Sequence, residues 1–356
     1  APRLAPRPGS GWVAGSLLVG SQSQGARMEG DEVFLTGATG FIGRHVLDAL
    51  LAAGYRVRAL VRPTSRPLPP LAGCQQTPGD LLRPGELAHQ MEGCRYLVHV
   101  ASLYAFAPHQ RRDIWATNVR GCAGVLEAAR IAGVERAVVT SSSATVGPAQ
   151  GERPADENDH APEEAGAAST YHHSKIEQER VALAARVPTV LVLPTAPVGP
   201  GDWKPTPTGK MIVDLMRGRI FASLGGGLNV VAVEDVAKAH VLALRDGQPR
   251  ARYLVGGENL SLAELWRRLA VICGRKAPTR RIPYTLALTI GWADELRCRM
   301  TPGVATPLAP LEGVRMARHT MYVRCDRARA ELGYAPTPVT DALERAVRWY
   351  RDNGYA

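Results

Sequence analysis

The stretch Glu32-Val33-Phe34-Leu35-Thr36-Gly37-Ala38-Thr39-Gly40-Phe41-Ile42-Gly43 decides the fold of this 356-residue chain. Its first five residues are typical of a short apolar strand. Beyond the glycines, apolar residues recur at helical spacing at positions 42, 46, 47, 50 and 51, and Gly54 marks the end of that helix. The three glycines therefore lie between a strand and a helix, which is the context that a dinucleotide-binding turn requires.

Each glycine of this turn has its own predicted role. Gly37 permits a tight turn, Gly40 lets the backbone approach a pyrophosphate, and Gly43 lets the helix pack closely on the strand. The N-terminal end of the helix then faces the phosphate charge. The turn residues predicted to bind the cofactor are Gly37, Thr39, Gly40, Phe41, Ile42 and Gly43.

Strands and helices alternate from residue 32 to about residue 193, and the alternation then fails. The candidate strands are 32–36, 57–61, 74–77, 96–100, 136–140 and 189–193. This pattern predicts an α/β fold, namely a Rossmann-type doubly wound parallel sheet with a smaller C-terminal substrate-binding part. The predicted regions are a disordered N-terminal extension (1–30), a dinucleotide-binding Rossmann domain (31–194) and a substrate-binding region (195–356) with strand and helix returns to the Rossmann core.

The run Tyr171-His172-His173-Ser174-Lys175 carries the predicted catalytic pair. Positions i and i+4 of a helix lie on the same face, so Tyr171 and Lys175 become neighbours if the run is helical. A Lys⁺ beside a Tyr lowers the pKa of the phenol, which can then exchange a proton with a carbonyl or an alcohol near neutral pH. A Tyr-x-x-x-Lys pattern alone is common in purely structural helices. The glycine turn upstream is what favours the catalytic interpretation.

The end of the second predicted strand bears on the choice of cofactor. An acidic residue at this position binds the ribose 2′-hydroxyl of NAD, whereas this chain carries Arg62-Pro63-Thr64-Ser65-Arg66. Arg62, with help from Thr64, Ser65 or Arg66, can receive a 2′-phosphate through charge-assisted hydrogen bonds. We therefore expect NADP, with NAD as the alternative if Arg62 only stacks on adenine.

With these motifs in place, the chain over roughly residues 32–355 resembles the extended short-chain dehydrogenases/reductases of the NAD-dependent epimerase/dehydratase family. The likeness rests on the glycine turn, on Asp80-Leu81, on Val98-His99-Val100-Ala101 and on Tyr171-x-x-x-Lys175. It also rests on Asn118 and on Thr140-Ser141-Ser142-Ser143-Ala144-Thr145. Two later stretches add to it, Leu193-Pro194-Thr195-Ala196-Pro197-Val198-Gly199-Pro200-Gly201-Asp202 and Val230-Val231-Ala232-Val233-Glu234-Asp235-Val236-Ala237. Within the family, the chain is similar to the hopanoid-associated sugar epimerase and dihydroflavonol-reductase-like subgroup.

The resemblance implies roles for individual residues. Ser143 would supply the catalytic hydroxyl, with Ser142 as the alternative. Asn118 would hold the catalytic helix and a water near Lys175, and Lys175 would also bind the nicotinamide ribose. The remaining residues that the resemblance assigns to the cofactor are Asp80, Leu81, Ala101, Tyr171 and Pro194.

The same residues fit two enzymatic functions and one non-catalytic function. The first is an oxidoreductase that uses NAD(P) to reduce a carbonyl or oxidise an alcohol. The second is a nucleotide-sugar epimerase that retains NAD, removes a hydride and returns it to the other face of the substrate. An acidic residue would be expected in place of Arg62 in such an epimerase, so the oxidoreductase is favoured. A non-catalytic NADP-sensing protein is the third alternative, which the Ser–Tyr–Lys set disfavours.

Composition limits the partners. The chain has 43 Lys and Arg and 33 Asp and Glu, a net charge of +10, but the basic residues are scattered and form no stripe with aromatic residues, so nucleic acid is not expected. Six cysteines lack Cys-x-x-Cys pairs, which predicts reduced thiols in the cytoplasm. His172 and His173 are adjacent, point to different helix faces and have no third ligand in sight, so no metal site is expected.

The substrate is a small molecule that the sequence does not name. Candidate pocket residues are Tyr104, Phe106, Trp203, Met211, Phe221 and Trp292. A homodimer is left open. Residues Pro283 to Met300 carry an apolar stripe, Leu286, Ile290, Ala293 and Met300, with Arg297 and Arg299 near its end. Such a stripe can lie in a membrane interface, but we expect it to pack on the protein's own core, which is the commoner arrangement.

Overall fold

The computed structural model describes residues 30–65, 67–104, 111–148, 151, 153–161, 169–220, 222–300 and 311–356. The predicted N-terminal extension up to residue 29, the candidate cofactor residue Arg66, and the candidate pocket residues Phe106 and Phe221 lie outside the described residues.

The described strands are β1 (Glu32–Thr36), β2 (Arg56–Val61), β3 (Cys74–Pro78), β4 (Tyr96–His99), β5 (Arg136–Thr140), β6 (Thr189–Pro194), β7 (Ala196–Val198), β8 (Ala222–Ser223), β9 (Gly227–Ala232), β10 (Arg252–Val255), β11 (Glu258–Ser261), β12 (Arg280–Arg281) and β13 (Thr320–Met321). The described α-helices are α1 (Phe41–Ala52), α2 (Pro84–Gln90), α3 (Arg111–Trp115), α4 (Gly121–Ile131), α5 (Thr170–Ala184), α6 (Pro207–Met216), α7 (Val233–Asp246), α8 (Leu262–Cys273), α9 (Tyr284–Met300), α10 (Leu311–Met316), α11 (Asp326–Leu332) and α12 (Val339–Asp352). A π-helix (Ala116–Arg120) joins α3 to α4, and a 3₁₀ turn (Ser143–Thr145) follows β5.

Seven parallel strands form the central sheet, in the order β3-β2-β1-β4-β5-β6-β10. Strands β4 and β6 are buried along their whole length, as expected for a parallel sheet with helices on both faces. The order reverses between β1 and β4, so the carboxyl ends of these two strands flank the crevice where ligands bind in such sheets. The predicted Rossmann-type fold is confirmed.

The six predicted strands are confirmed to within one residue at each end. Beyond residue 193, α7 and β10 return to the central sheet, where β10 pairs parallel with β6. Strand β10 has only four residues and follows α7 after a short turn, so its apolar run was not distinctive in the sequence.

A second, smaller layer is built around β9, which pairs antiparallel with β11 and parallel with β7 and β13. Its core lies between α6, α8 and α12 and includes the buried side chains Ile212, Trp266, Leu269, Leu343 and Tyr350. Helix α7 packs against α1, and α11 packs against β10. The chain after residue 195 therefore contributes both to this second core and to the core of the central sheet.

Candidate active site

The glycine turn is compact because side chains are excluded from two of its positions. A Cβ atom on Gly37, whose φ is +82°, would lie 2.6 Å from the backbone nitrogen of Ala101, and a Cβ on Gly43 would lie 2.0 Å from the carbonyl oxygen of Gly37. Gly40 caps the N-terminus of α1, and its N–H donates to the Gly37 oxygen at 2.9 Å. Thr39 and Gly40 are exposed at this helix N-terminus, where backbone N–H groups can bind phosphate oxygens.

The other predicted cofactor residues follow the carboxyl ends of strands on both sides of this turn. Arg62 directly follows β2 and is exposed, and Asp80 and Leu81 follow β3. On the other side, the Ala101 N–H donates to the Thr36 Oγ1 atom at 3.3 Å, and Pro194 is the last residue of β6. The strand order thus places Arg62 at one end of an edge whose centre is the glycine turn, with Pro194 towards the other end. This arrangement fits an elongated dinucleotide.

Helix α5 carries the predicted catalytic pair. The Ser169 hydroxyl caps the helix by accepting a hydrogen bond from the His172 N–H at 3.2 Å. Tyr171 lies in the first turn and is half-buried, with its ring centroid 4.3 Å from that of Tyr104. Lys175 lies one turn further and is 2% exposed. The structure therefore brings Tyr171, Lys175 and Tyr104 together beside the end of β5.

The ammonium group of Lys175 is buried and bound to the protein. Its Nζ atom donates to the carbonyl oxygen of Thr140 at 3.0 Å and to the Oε1 atom of Gln178 at 2.8 Å. Burial lowers the pKa of Lys175 from 10.5 to about 8, so the side chain is still mainly protonated at neutral pH. The helix positions 175 and 178 are three residues apart, and Gln178 is a positioning residue for Lys175 that the sequence analysis did not identify.

The three serines after β5 have different environments. The Ser141 hydroxyl is buried and donates to the carboxylate of Glu179 at 2.5 Å. The Ser142 oxygen accepts the Ala144 N–H at 3.2 Å and caps the 3₁₀ turn. Ser143 is half-buried, and its hydroxyl has no hydrogen bond with any of the residues that the structure describes. Among the described residues, the Ser143 hydroxyl therefore has no hydrogen-bond partner, the Ser142 oxygen accepts one bond while its O–H remains to donate, and the Ser141 hydroxyl is bound to Glu179.

A buried ion pair holds this turn against α5. Glu179 of α5 and Arg252 of β10 are each less than a tenth exposed, and their Oε2 and Nε atoms lie 3.0 Å apart. Arg252 also donates to the Thr145 Oγ1 atom at 3.1 Å. Breaking a buried pair by removing one partner is strongly destabilising, because the remaining charge is left uncompensated. Neither residue could be identified from the sequence, because 73 positions separate them and neither belongs to a recognised motif.

Asn118 connects the loop after β4 to α5. It lies in the π-helical turn and is fully buried. Its Oδ1 atom accepts the Leu103 N–H at 2.7 Å, and its Nδ2 atom donates to the Ser174 hydroxyl at 3.0 Å. Asn118 therefore contacts the residue next to Lys175 in the chain. Its predicted role in holding a water near Lys175 stays a prediction.

Two buried histidines fix the ends of β1 and β5. The Thr36 hydroxyl lies 2.7 Å from Nδ1 of His99, and the Thr140 hydroxyl lies 2.7 Å from Nε2 of His240. Burial, helped by the nearby Lys175, lowers the pKa of His99 to about 3, and burial lowers the pKa of His240 to about 4. Both rings are therefore neutral at pH 7. The Nδ1 atom of His240 donates to the Val236 carbonyl, so its Nε2 atom accepts from Thr140.

The other predicted residues lie apart from this pair. Trp203 packs edge-to-face on Trp349, with ring centroids 4.8 Å apart, and Met211 packs against the second core. His172 is buried against the Ser169 cap, whereas His173 is exposed and packs on Trp115. Among the described residues, no three His, Cys, Asp or Glu side chains are grouped so that they could bind a metal ion.

Helix α9 contradicts the prediction made for it. Its apolar stripe was expected to pack on the core, but Leu286 and Ile290 are each 47% exposed, Met300 is 72% exposed, and Ala293 is also exposed. The stripe has the correct helical spacing, but spacing alone does not specify which side of the helix faces the protein. No helix in the described part of the chain is both long and apolar enough to cross a membrane.

The fold and the site define a nucleotide-binding Rossmann enzyme, and comparisons with known proteins identify the family. The model of the NAD dependent epimerase/dehydratase family matches residues 33–256. A dihydroflavonol 4-reductase-like protein of Synechocystis sp. is 38% identical over 91% of this chain and 96% of its own. Sterol demethylase protein B of Methylococcus capsulatus is 33% identical over 90% of this chain and 98% of its own. The crystal structure of gox2253 is 36% identical, with a TM-score of 0.79 and coverage of 91% of this chain and 99% of its own.

This chain therefore belongs to the NAD-dependent epimerase/dehydratase family, as an extended short-chain dehydrogenase/reductase. It is an NAD(P)-dependent enzyme. That cofactor class agrees with the positions of the glycine turn, the N-terminus of α1 and the carboxyl ends of the strands.

Proposed function

We propose that this protein reduces a ketone to a secondary alcohol, or catalyses the reverse oxidation, with NADP(H) as cofactor. One observation carries the proposal. Tyr171 lies against Tyr104 at the carboxyl edge of the sheet, one helical turn from a buried and mainly protonated Lys175. A phenol held next to a buried ammonium group can donate a proton to a carbonyl oxygen.

Each residue of the site has a proposed role. Tyr171 donates the proton to the substrate oxygen, and the Ser143 hydroxyl orients that oxygen by a hydrogen bond. Lys175 favours the phenolate that remains on Tyr171, and Gln178 and the Thr140 carbonyl hold the ammonium group in place. NADPH supplies the hydride when it is bound. Ser141, Glu179 and Arg252 keep the serine turn rigid, which preserves the distance between Ser143 and Tyr171.

NADP(H) is the proposed cofactor because of Arg62. The guanidinium is exposed directly after β2 and makes no ion pair with any described residue, so it is available to a 2′-phosphate. Titration of protein fluorescence with NADPH and NADH tests this choice. Tighter binding of NADPH supports it, and equal or tighter binding of NADH contradicts it.

The proposed substrates are apolar ketones. Relatives named for dihydroflavonol and sterol chemistry support this class, and the exposed ring of Tyr104 beside Tyr171 supplies an apolar wall. A screen that follows NADPH absorbance with polycyclic ketones and with nucleotide sugars tests the proposal. Turnover of polycyclic ketones supports it. Interconversion of sugar epimers without net loss of NADPH, by protein that retains NAD⁺ through purification, would assign the enzyme to the epimerases instead.

The role of Tyr171 is tested with the substrate found in that screen. The Tyr171→Phe variant should lose about 10²–10⁴-fold in kcat, the usual contribution of a positioned acid or base, while its affinity for NADPH stays near that of the wild type. His173→Phe is the matched control, because His173 lies on the same helix but is exposed against Trp115. Activity of Tyr171→Phe within a few-fold of the wild type would exclude the proposed role.

A further inference from the structure

Helix α9 presents an apolar face to solvent. The exposed apolar side chains include Leu286 and Ile290 (47% each), Trp292 (64%), Leu296 (47%) and Met300 (72%). At 3.6 residues per turn these positions lie on one side of the helix, where Arg297 is the charged residue among them. Contiguous apolar surface of this kind usually marks an interaction site.

The inward side of α9 has the opposite character. Ala287 and Gly291 are small buried residues, and Asp294 is 9% exposed and forms an ion pair with Arg297 at 2.6 Å. A helix of a globular protein ordinarily places its large apolar residues on the core and its charged residues in water. Helix α9 departs from this arrangement, because Asp294 is buried while five large apolar side chains are exposed. Packing within the described residues does not explain these exposed side chains.

Basic residues lie before α9 in the chain and against its first turn. Arg280 and Arg281 form β12 directly before α9 and are both exposed. The guanidinium of Arg318 lies 5.5 Å from the ring centroid of Tyr284, at the first turn of α9. Residues 275–320 contain eight Arg or Lys and three Asp or Glu, so this segment carries half of the net charge of +10.

We propose that α9 and β12 form a membrane-docking surface, with α9 lying in the headgroup region of an anionic bilayer. The apolar side chains would enter the acyl boundary, Trp292 would lie at the interface that tryptophan prefers, and the arginines would contact anionic headgroups. Charge favours a bilayer over a second copy of the chain. A two-fold symmetric contact through this face would place its arginines opposite the same basic surface on the partner.

This inference concerns a surface and does not depend on the proposed reaction. It is tested by sedimentation of the full chain with vesicles of phosphatidylcholine alone and of phosphatidylcholine with phosphatidylglycerol. We expect the protein to sediment with the anionic vesicles at low salt and to be released as salt screens the headgroup attraction. Protein that stays in the supernatant with both vesicles at low salt would refute the inference.

Two variants separate the apolar and basic contributions. Replacing Ile290 and Trp292 by serine should weaken binding to anionic vesicles by at least about tenfold, since two large side chains no longer enter the apolar boundary. Replacing Arg280 and Arg281 by glutamine should weaken it by about 30-fold and leave binding to neutral vesicles unchanged. Val271→Ser is the control, because Val271 is 81% exposed but lies on α8, outside the proposed surface. This variant should bind vesicles as the wild type does.

Other occupants give different results. Light scattering that shows a dimer, dissociated by the double Ile290→Ser and Trp292→Ser change, with no vesicle binding by either protein, would assign the face to a second copy. Unchanged vesicle binding by that double variant would also overturn the inference. NADPH affinity near that of the wild type shows that each variant is folded. A loss of vesicle binding is then not caused by unfolding of the variant.

Discussion

Replacing the buried Lys175 with methionine should change how the stability of the protein depends on pH. Burial lowers the pKa of Lys175 in the folded protein to about 8, from 10.5 for an exposed lysine. Below pH 8 both the folded and the unfolded chain carry the proton, and folding bears the full free-energy cost of burying the charge. As the pH rises from 8 towards 10.5, the folded chain loses the proton first and this cost is relieved. Methionine has no such charge, so its contribution to stability does not titrate.

The size of the effect follows from the two pKa values. At about pH 6.5 the buried charge costs about 3 kcal/mol of folding free energy, and at about pH 9.5 it costs about 1 kcal/mol. The wild type should therefore gain about 2 kcal/mol in stability relative to Lys175→Met between these two pH values. The variant also loses the hydrogen bonds to the Thr140 carbonyl and Gln178, but that loss is nearly the same at both pH values and cancels in the comparison.

Urea denaturation followed by tryptophan fluorescence measures this difference in the cofactor-free protein. Because other groups titrate in the same range, the informative quantity is the difference in unfolding free energy between the wild type and Lys175→Met, and how that difference changes between the two pH values. Lys276→Met is the control, since Lys276 is exposed after α8 and its difference from the wild type should stay within about 0.5 kcal/mol at both pH values. Equal differences in unfolding free energy for Lys175→Met at low and high pH would refute the argument that burial depresses the pKa of Lys175.

Three further predictions concern the cofactor, the serine turn and the glycine turn. Arg62→Asp should reduce the ratio of NADPH to NADH affinity by about 10- to 100-fold, measured by fluorescence titration, and an unchanged ratio would show that Arg62 does not select the cofactor. Ser143→Ala should lower kcat by about 10²–10³-fold and leave the melting temperature unchanged. Ser141→Ala should instead lower the free energy of unfolding by about 1–3 kcal/mol, because the buried Glu179 carboxylate loses a hydrogen-bond donor. The reverse pattern would move the catalytic role to Ser141. Gly43→Ala should destabilise the protein by at least about 1–3 kcal/mol, because the added methyl group would overlap a backbone oxygen. Gly85→Ala is the control and should not destabilise it, because a methyl group at Gly85 meets no atom within 4 Å. Equal melting temperatures for the two variants would contradict this account of the turn.

Local sequence was sufficient for six of the seven strands of the central sheet and for the placing of Tyr171 beside Lys175. Strands β1 and β5 have the predicted bounds, because a short apolar run between turn residues is a local pattern. Tyr171 and Lys175 could be placed side by side from their spacing alone, because positions four apart on a helix are neighbours wherever the helix packs. The steric demand on Gly43 is equally local, since it comes from the carbonyl of Gly37 within the turn, whereas Gly37 is also confined by the backbone of Ala101, 64 residues further along the chain.

Tertiary structure decided which hydroxyl groups are already hydrogen-bonded within the protein and which face of a helix is buried. The Ser141 hydroxyl donates to Glu179, and Glu179 pairs with Arg252 from a strand 73 residues away, so only the fold distinguishes Ser141 from Ser143. The depressed pKa of Lys175 likewise depends on burial beneath strands that the motif does not contain. Helical spacing predicted the stripe on α9 but not its direction, because the period of a pattern is the same whether its apolar side faces the core or the solvent.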